Sequence, residues 1–138
     1  MVGERPFDDE LQRLREERLR NMEARFTGRS GGVIEISDTT FREALQKHPA
    51  LVIDVWAEWC GPCRMVAPVI EDLAHDLAGR VTFGKCNVDE NPLIASSFSI
   101  TAIPTLLFFA NGKLVDRVVG ALPKEAIKAR IMRAFGPG

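Results

Sequence analysis

Between Leu51 and Ala57 the chain reads Leu-Val-Ile-Asp-Val-Trp-Ala, an almost unbroken apolar run with a carboxylate at its centre. Such a run has no polar face to turn toward water. It predicts a central strand covered by packed layers on both sides. Asp54 is then the anomaly. A carboxylate buried on both faces is costly unless it is paired or protonated, so its proton affinity is expected to rise. The other reading is an edge strand with Asp54 turned outward, and Ile53, Val55 and Trp56 argue against it.

The run leads directly into Trp59-Cys60-Gly61-Pro62-Cys63, where the strand hands over to a helix. Unpaired backbone N–H groups and the helix dipole favour an anion at a helix start, so a Cys60 thiolate is stabilised there. A thiol of pKa about 8.5 falls to roughly 3.5–7.5 in such settings, and the thiolate is the nucleophile. Cys63, one turn further in, is close enough to attack a mixed disulfide formed at Cys60. The pair therefore points to a redox site. Half of a structural zinc site is the alternative, but zinc needs four ligands. Only Cys86, His48 and His75 remain, with no second Cys-x-x-Cys, so no metal is expected. Cys86 itself, on a strand, reads as a small buried hydrophobe rather than a regulatory thiol.

The flanking pattern is compact from Val33 onward. Val33 to Ile36 reads as a short strand, and Ser37 or Asp38 as the cap of a helix running to about Lys47. A helix follows from Cys60 to about Ala78, with Pro68 inside it as an expected kink and Gly79 as its stop. Val81 to Val88 is the next strand and Pro92 to Phe98 a short helix. Strands over 105–110 and 114–119 flank Asn111-Gly112, a strong hairpin signal. Pro123 opens a last helix ending near Phe135. The order β-α-β-α-β-α-β-β-α makes an α/β fold, one central mixed sheet with helices on both faces.

Residues 1–32 read as a separate unit, an amphipathic helix and a Gly-rich linker, ahead of a domain over 33–138. Asp8 is the expected cap, and no Gly or Pro interrupts the segment before Gly28. Phe7, Leu11, Leu14, Leu19, Met22 and Phe26 fall, at roughly 100° per residue, within a stripe about 140° wide. The heptad is broken between Leu14 and Leu19, which leaves the helix docked on its own domain, self-associated or held by a partner, or free. The formal net charge of -1 gives no field for nucleic acid or an anionic membrane. No apolar run approaches a membrane span, and the N-terminus has neither an apolar signal core nor the acid-poor composition of a transit peptide. With only 3 cysteines, the chain suits a reducing cytoplasm.

The residues from 33 to 135 resemble the thioredoxin family. The resemblance rests on Val52 through Cys63, Pro68, Lys85 with Asn87-Val88-Asp89, Ala102-Ile103-Pro104-Thr105, Asn111-Gly112 and Gly120. It implies the thioredoxin fold and a redox disulfide between Cys60 and Cys63. Cys60 would attack and Cys63, the more buried thiol, would resolve. Asp54 would relay a proton to and from Cys63, with Lys85 as its neighbour. Gly61 and Pro62 would shape the turn, and their lack of charge fits a stable disulfide and a reducing protein. Ile103-Pro104 would be a cis peptide opposite the disulfide, with Trp59, Ala102, Ile103 and Pro104 forming the groove for an extended substrate segment. Two positions depart from the usual pattern. Arg64 stands where many relatives carry Lys, and Ala102 replaces a common Gly, narrowing the groove slightly.

The implied activity is reduction of protein disulfides, with no cofactor beyond the chain's own dithiol. A thioredoxin reductase, flavin- or ferredoxin-linked, would recharge it. An oxidant or isomerase on the same fold would need a destabilised disulfide and usually a different pair between the cysteines. A binding module delivered by the N-terminal helix is the other class left open.

Overall fold

The computed structural model describes residues 12, 13, 15 and 32–136. Gln12, Arg13 and Arg15 are helical. The rest of the helix expected over 8–26, its apolar stripe, the linker over 27–31 and any partner contact they carry lie outside the described residues.

The elements are β1 (Ile34–Glu35), α1 (Phe41–Lys47), β2 (Ala50–Trp56), α2 (Gly61–Asp76), β3 (Thr82–Asn87), α3 (Pro92–Ser97), β4 (Thr105–Ala110), β5 (Lys113–Val119) and α4 (Lys124–Phe135). They form one five-stranded sheet in the order β1-β3-β2-β4-β5. β3 pairs in parallel with both β1 and β2, while β4 runs antiparallel to β2 and β5. The sheet is mixed, as its sequence pattern indicates.

β2 sits at the centre, and its alternating side chains feed two cores. Val52 joins Phe83, Leu106, Phe108 and Val118 beneath Val66, Ile70 and Leu73 of α2 and Ile127 and Ile131 of α4. Leu51, Ile53 and Val55 join Ile36, Cys86, Leu107 and Phe109 against Ala44 of α1 and Ile94 of α3. Three rings, Phe41, Phe98 and Phe109, close this second core edge to face at centroid distances of 5.4–5.6 Å. With strand side chains alternating, Asp54 falls on the Val52 side, under α2.

Several element ends differ from expectation for local reasons. β1 is two residues long. Asn111 and Gly112 both have positive φ, 51° and 82°, which is what a two-residue hairpin turn matching the strand twist requires. β5 starts one residue early, at Lys113, and a bulge shifts the register between Phe108 and Phe109. α2 continues through Pro68 as one element and ends at Asp76. Pro123 is the residue before α4 rather than its first.

Neither Ser37 nor Asp38 is the N-cap of α1; Thr40 holds that place. The Ser37 carbonyl accepts the N–H of Thr40 and Phe41. Asp38 is used across the molecule instead. Its carboxylate accepts the N–H groups of Leu93 and Ile94 at 3.0 and 2.9 Å, so it caps α3 from another segment. Its own N–H goes to Asn91 Oδ1 at 2.8 Å. Asp38→Ala should strand two helix N–H groups and lower unfolding free energy by about 1–2 kcal/mol, read by denaturant titration. Unchanged stability would mean that water replaces the cap without loss.

Candidate redox site

The site lies at the end of β2. The chain leaves the sheet at Trp56 and turns through Ala57, Glu58 and Trp59 into Cys60, the N-cap of α2. Its backbone is extended there, φ −93° and ψ 110°, so Cys60 precedes the helix instead of opening it. Cys60 N–H donates to the Ala57 carbonyl at 3.2 Å, and Cys60 Sγ accepts the Cys63 N–H at 3.2 Å. The cap is therefore the sulfur itself. A negative charge arriving on this atom strengthens a bond that already exists. Pro62, in the first turn, lacks an N–H that would have had no helical partner.

Cys60 and Cys63 are joined as a disulfide, with their Cα atoms 5.4 Å apart. In this oxidised form they are covered almost equally, at 4% and 3% exposure. The expected difference in burial is thus slight. Position separates the sulfurs: one caps the helix and the other belongs to its first turn. Beneath them Ala57 packs with Trp56, Val88 and Ile103 in a small apolar cluster.

The rim comes from two loops. The Ile103–Pro104 peptide is cis, and the Ile103 carbonyl oxygen lies 3.8 Å from Cys60 Sγ. Thr105 Oγ1 donates to the Ala102 carbonyl at 2.6 Å, and Gly120 N–H to the Pro104 carbonyl at 2.8 Å, which hold this loop in place. Ala102 is exposed and Ile103 half-buried, while Pro104 is buried. On the other side Trp59 is 70% exposed, an unusual state for so large an apolar ring. Its indole N–H donates to Asp89 Oδ2 at 2.8 Å, and Arg64 Nη2 donates to the Glu58 carbonyl at 3.1 Å. These two tethers were not read from the sequence. Asp89 belongs to the Asn87-Val88-Asp89 string of the resemblance, and no spacing rule connects it with Trp59, 30 residues away.

Asp54 lies below, 4% exposed, in register with Lys85 on β3 and Leu106 on β4. Burial raises its pKa from 3.8 to about 7, and the Lys85 charge offsets part of that rise. Its Oδ1 accepts no hydrogen bond from the described residues. Lys85 is exposed, and its Nζ lies 5.5 Å from the centroid of the Trp56 ring. Cys86 is fully buried in the opposite core, and burial, followed by the charges of Asp38, Glu35 and Asp54, pushes its thiol up to about 12. It is a packing residue, and burial holds its thiol protonated, whereas a helix start favours the thiolate at Cys60.

Residues 32–133 match the sequence profile of the thioredoxin family. The chain belongs to the thioredoxin family. It is 47% identical over 108 residues to a thioredoxin from Chlorobaculum thiosulfatiphilum, covering 78% of this chain and all of that one. It is 46% identical over 96 residues to a thioredoxin from Alicyclobacillus acidocaldarius, covering 70% and 91%. Among solved structures, a mutant thioredoxin from Halobacterium salinarum superposes with a TM-score of 0.71 at 32% identity, over 77% of this chain and 93% of that one. The fold is the thioredoxin fold, and the activity is thiol–disulfide exchange through Cys60 and Cys63. Thioredoxins work with their own dithiol, without a cofactor. Among the described residues no group of three or more His, Cys, Asp or Glu is placed to hold a metal, and no helix is long and apolar enough to cross a membrane.

The Asp54 shift has a stability consequence with a definite sign. A carboxyl whose pKa is higher folded than unfolded supports the fold below pH about 4 and loses that support as pH rises to about 7. The full difference is on the order of 4 kcal/mol. Asp54→Asn carries no charge, so its stability relative to the unchanged protein should climb between about pH 4 and pH 8. Urea titrations across that range read the effect. Parallel stability curves for the two proteins would contradict a raised Asp54 pKa.

Proposed function

We propose that this protein works in the reducing direction, with each site residue in a distinct role. The Cys60 thiolate attacks one sulfur of a substrate disulfide and forms a mixed disulfide, and the other substrate sulfur leaves and takes a proton. Cys63 then passes its proton to the Asp54 carboxylate and attacks Cys60 Sγ. That bond forms as the mixed disulfide breaks, releasing the second substrate sulfur. Two electrons have moved to the substrate, and Cys60–Cys63 is oxidised. A pKa near neutrality suits Asp54 for taking and returning a proton at each cycle.

The observation that carries this reading is the sulfur of Cys60 acting as the N-cap of α2. It makes Cys60, not Cys63, the sulfur whose charge the helix start stabilises. Trp59, Ala102, Ile103 and Pro104 border the disulfide and form the surface for an extended substrate segment, with Gly61 and Pro62 keeping the turn compact. Lys85 tempers the proton affinity of Asp54. Substrates are proteins with accessible disulfides, and a thioredoxin reductase returns the electrons. The cytoplasm is the compartment in which such a cycle runs, and residues 33–138 form the redox domain with 1–32 appended to it.

Cys63→Ser tests the assignment of attacker and resolver. It should leave the first attack intact and accumulate substrates joined to Cys60, seen as adducts on non-reducing gels that dithiothreitol releases. Adducts forming instead in Cys60→Ser would reverse the two roles.

A further inference from the structure

Lys85 stands next to Asp54 in register, yet the two form no ion pair within 4.0 Å among the described residues. The ammonium is found over the Trp56 ring at 5.5 Å, inside the range at which an indole face attracts a cation. Trp56 follows Asp54 by two positions on β2, so both project on the same face, and Trp56 also packs beside Cys60 and Cys63. Its Nε1 is buried with no hydrogen-bond partner among the described residues. The ring is thus placed by its faces and not by its polar edge. Lys85 is otherwise an exposed residue on a flexible four-carbon stem, in register with exposed Glu35 of β1 but in no ion pair with it among the described residues.

We propose that Trp56 is a positioning residue whose indole face stations the Lys85 ammonium beside Asp54 and thereby sets how readily that carboxylate gives up its proton. The inference rests on the reading of Asp54 as the proton carrier, and it adds a third residue acting through Lys85. Few other groups compete for the role. From β4 the neighbour is uncharged Leu106. α2, over the same face, buries Cys63 and Val66 at this end, and Cys63 has no proton to lose while it is disulfide-bonded. α4 contributes Ile127 and Ile131. Among the described residues, the Lys85 charge is the one that works against the burial of Asp54.

The test is a double-mutant cycle on the full-length oxidised protein, following the Asp54 carboxyl carbon by NMR across a pH titration. Lys85→Met should raise the titration midpoint, because the favourable charge is gone. Trp56→Leu changes the midpoint in two ways: it alters the cover of Asp54 and it releases Lys85. Only the second depends on Lys85. The shift caused by Trp56→Leu should therefore be more upward with Lys85 present than in the Lys85→Met background. Trp56→Phe, which keeps the cover but offers a weaker face, should give a smaller difference of the same sign, and it carries the comparison alone if Trp56→Leu does not fold. Equal shifts in both backgrounds, or a more downward shift with Lys85 present, would overturn the proposal. The carrier reading is tested separately by turnover: Asp54→Asn should be slow at neutral pH, whereas wild-type rates would end that reading and leave the NMR comparison valid.

Discussion

The burial of β2 on both faces is the constraint from which the rest of the structure follows. A seven-residue strand with apolar side chains on each side must be flanked by other strands and sandwiched by helices. β3 and β4 take the flanks, and two pairs of helices take the faces. Fully burying each Leu, Val, Ile or Phe contributes about 1.5–3 kcal/mol, so the two cores fix the strand firmly in register. The redox turn begins where that strand ends. Cys60 is held by a rigid support on one side and a long helix on the other, with the Ile103–Pro104 loop, the Trp59–Asp89 bond and the Arg64–Glu58 bond closing the rim.

The same burial creates the chemistry. Asp54 occupies a position where an apolar residue would make the fold more stable, and the protein retains a carboxyl whose charge is disfavoured. Breaking a local rule of this kind is characteristic of functional sites, where activity and stability pull in opposite directions. Cys86 shows the contrast. A second buried ionisable group, in the opposite core and beside the carboxylates of Asp38 and Glu35 instead of a cation, has its proton held more tightly still.

How much of this was legible in the sequence depended on range. The period of apolar residues in β2 is a local signal, as are the Asn111-Gly112 turn and the strand-to-helix handover at Cys60, and the structure agrees with each. The raised proton affinity of Asp54 could also be argued from its neighbours alone. Contacts between distant segments left no such trace. Asp38 looks like a cap for the helix that follows it, but its backbone N–H is held by Asn91 Oδ1 and its carboxylate reaches α3. The Trp59–Asp89 bond and the placement of Lys85 over Trp56 depend on where β3 and its following turn pack, which no periodicity encodes. The position of Cys60, one residue outside the helix, was likewise invisible, because capping is decided by backbone angles.

The direction of electron flow is set by the stability of the Cys60–Cys63 disulfide relative to its dithiol. The Gly61-Pro62 turn places no charged side chain between the two cysteines, and Arg64, just beyond them, is turned back to the Glu58 carbonyl. The decisive measurement is the reduction potential of this pair, obtained by equilibrating the protein in thiol–disulfide buffers and following tryptophan fluorescence. A protein-disulfide reductase should give a value near or below about −270 mV, the value typical of thioredoxins. A value between about −180 and −120 mV would make the protein an isomerase or an oxidant and contradict the reducing direction.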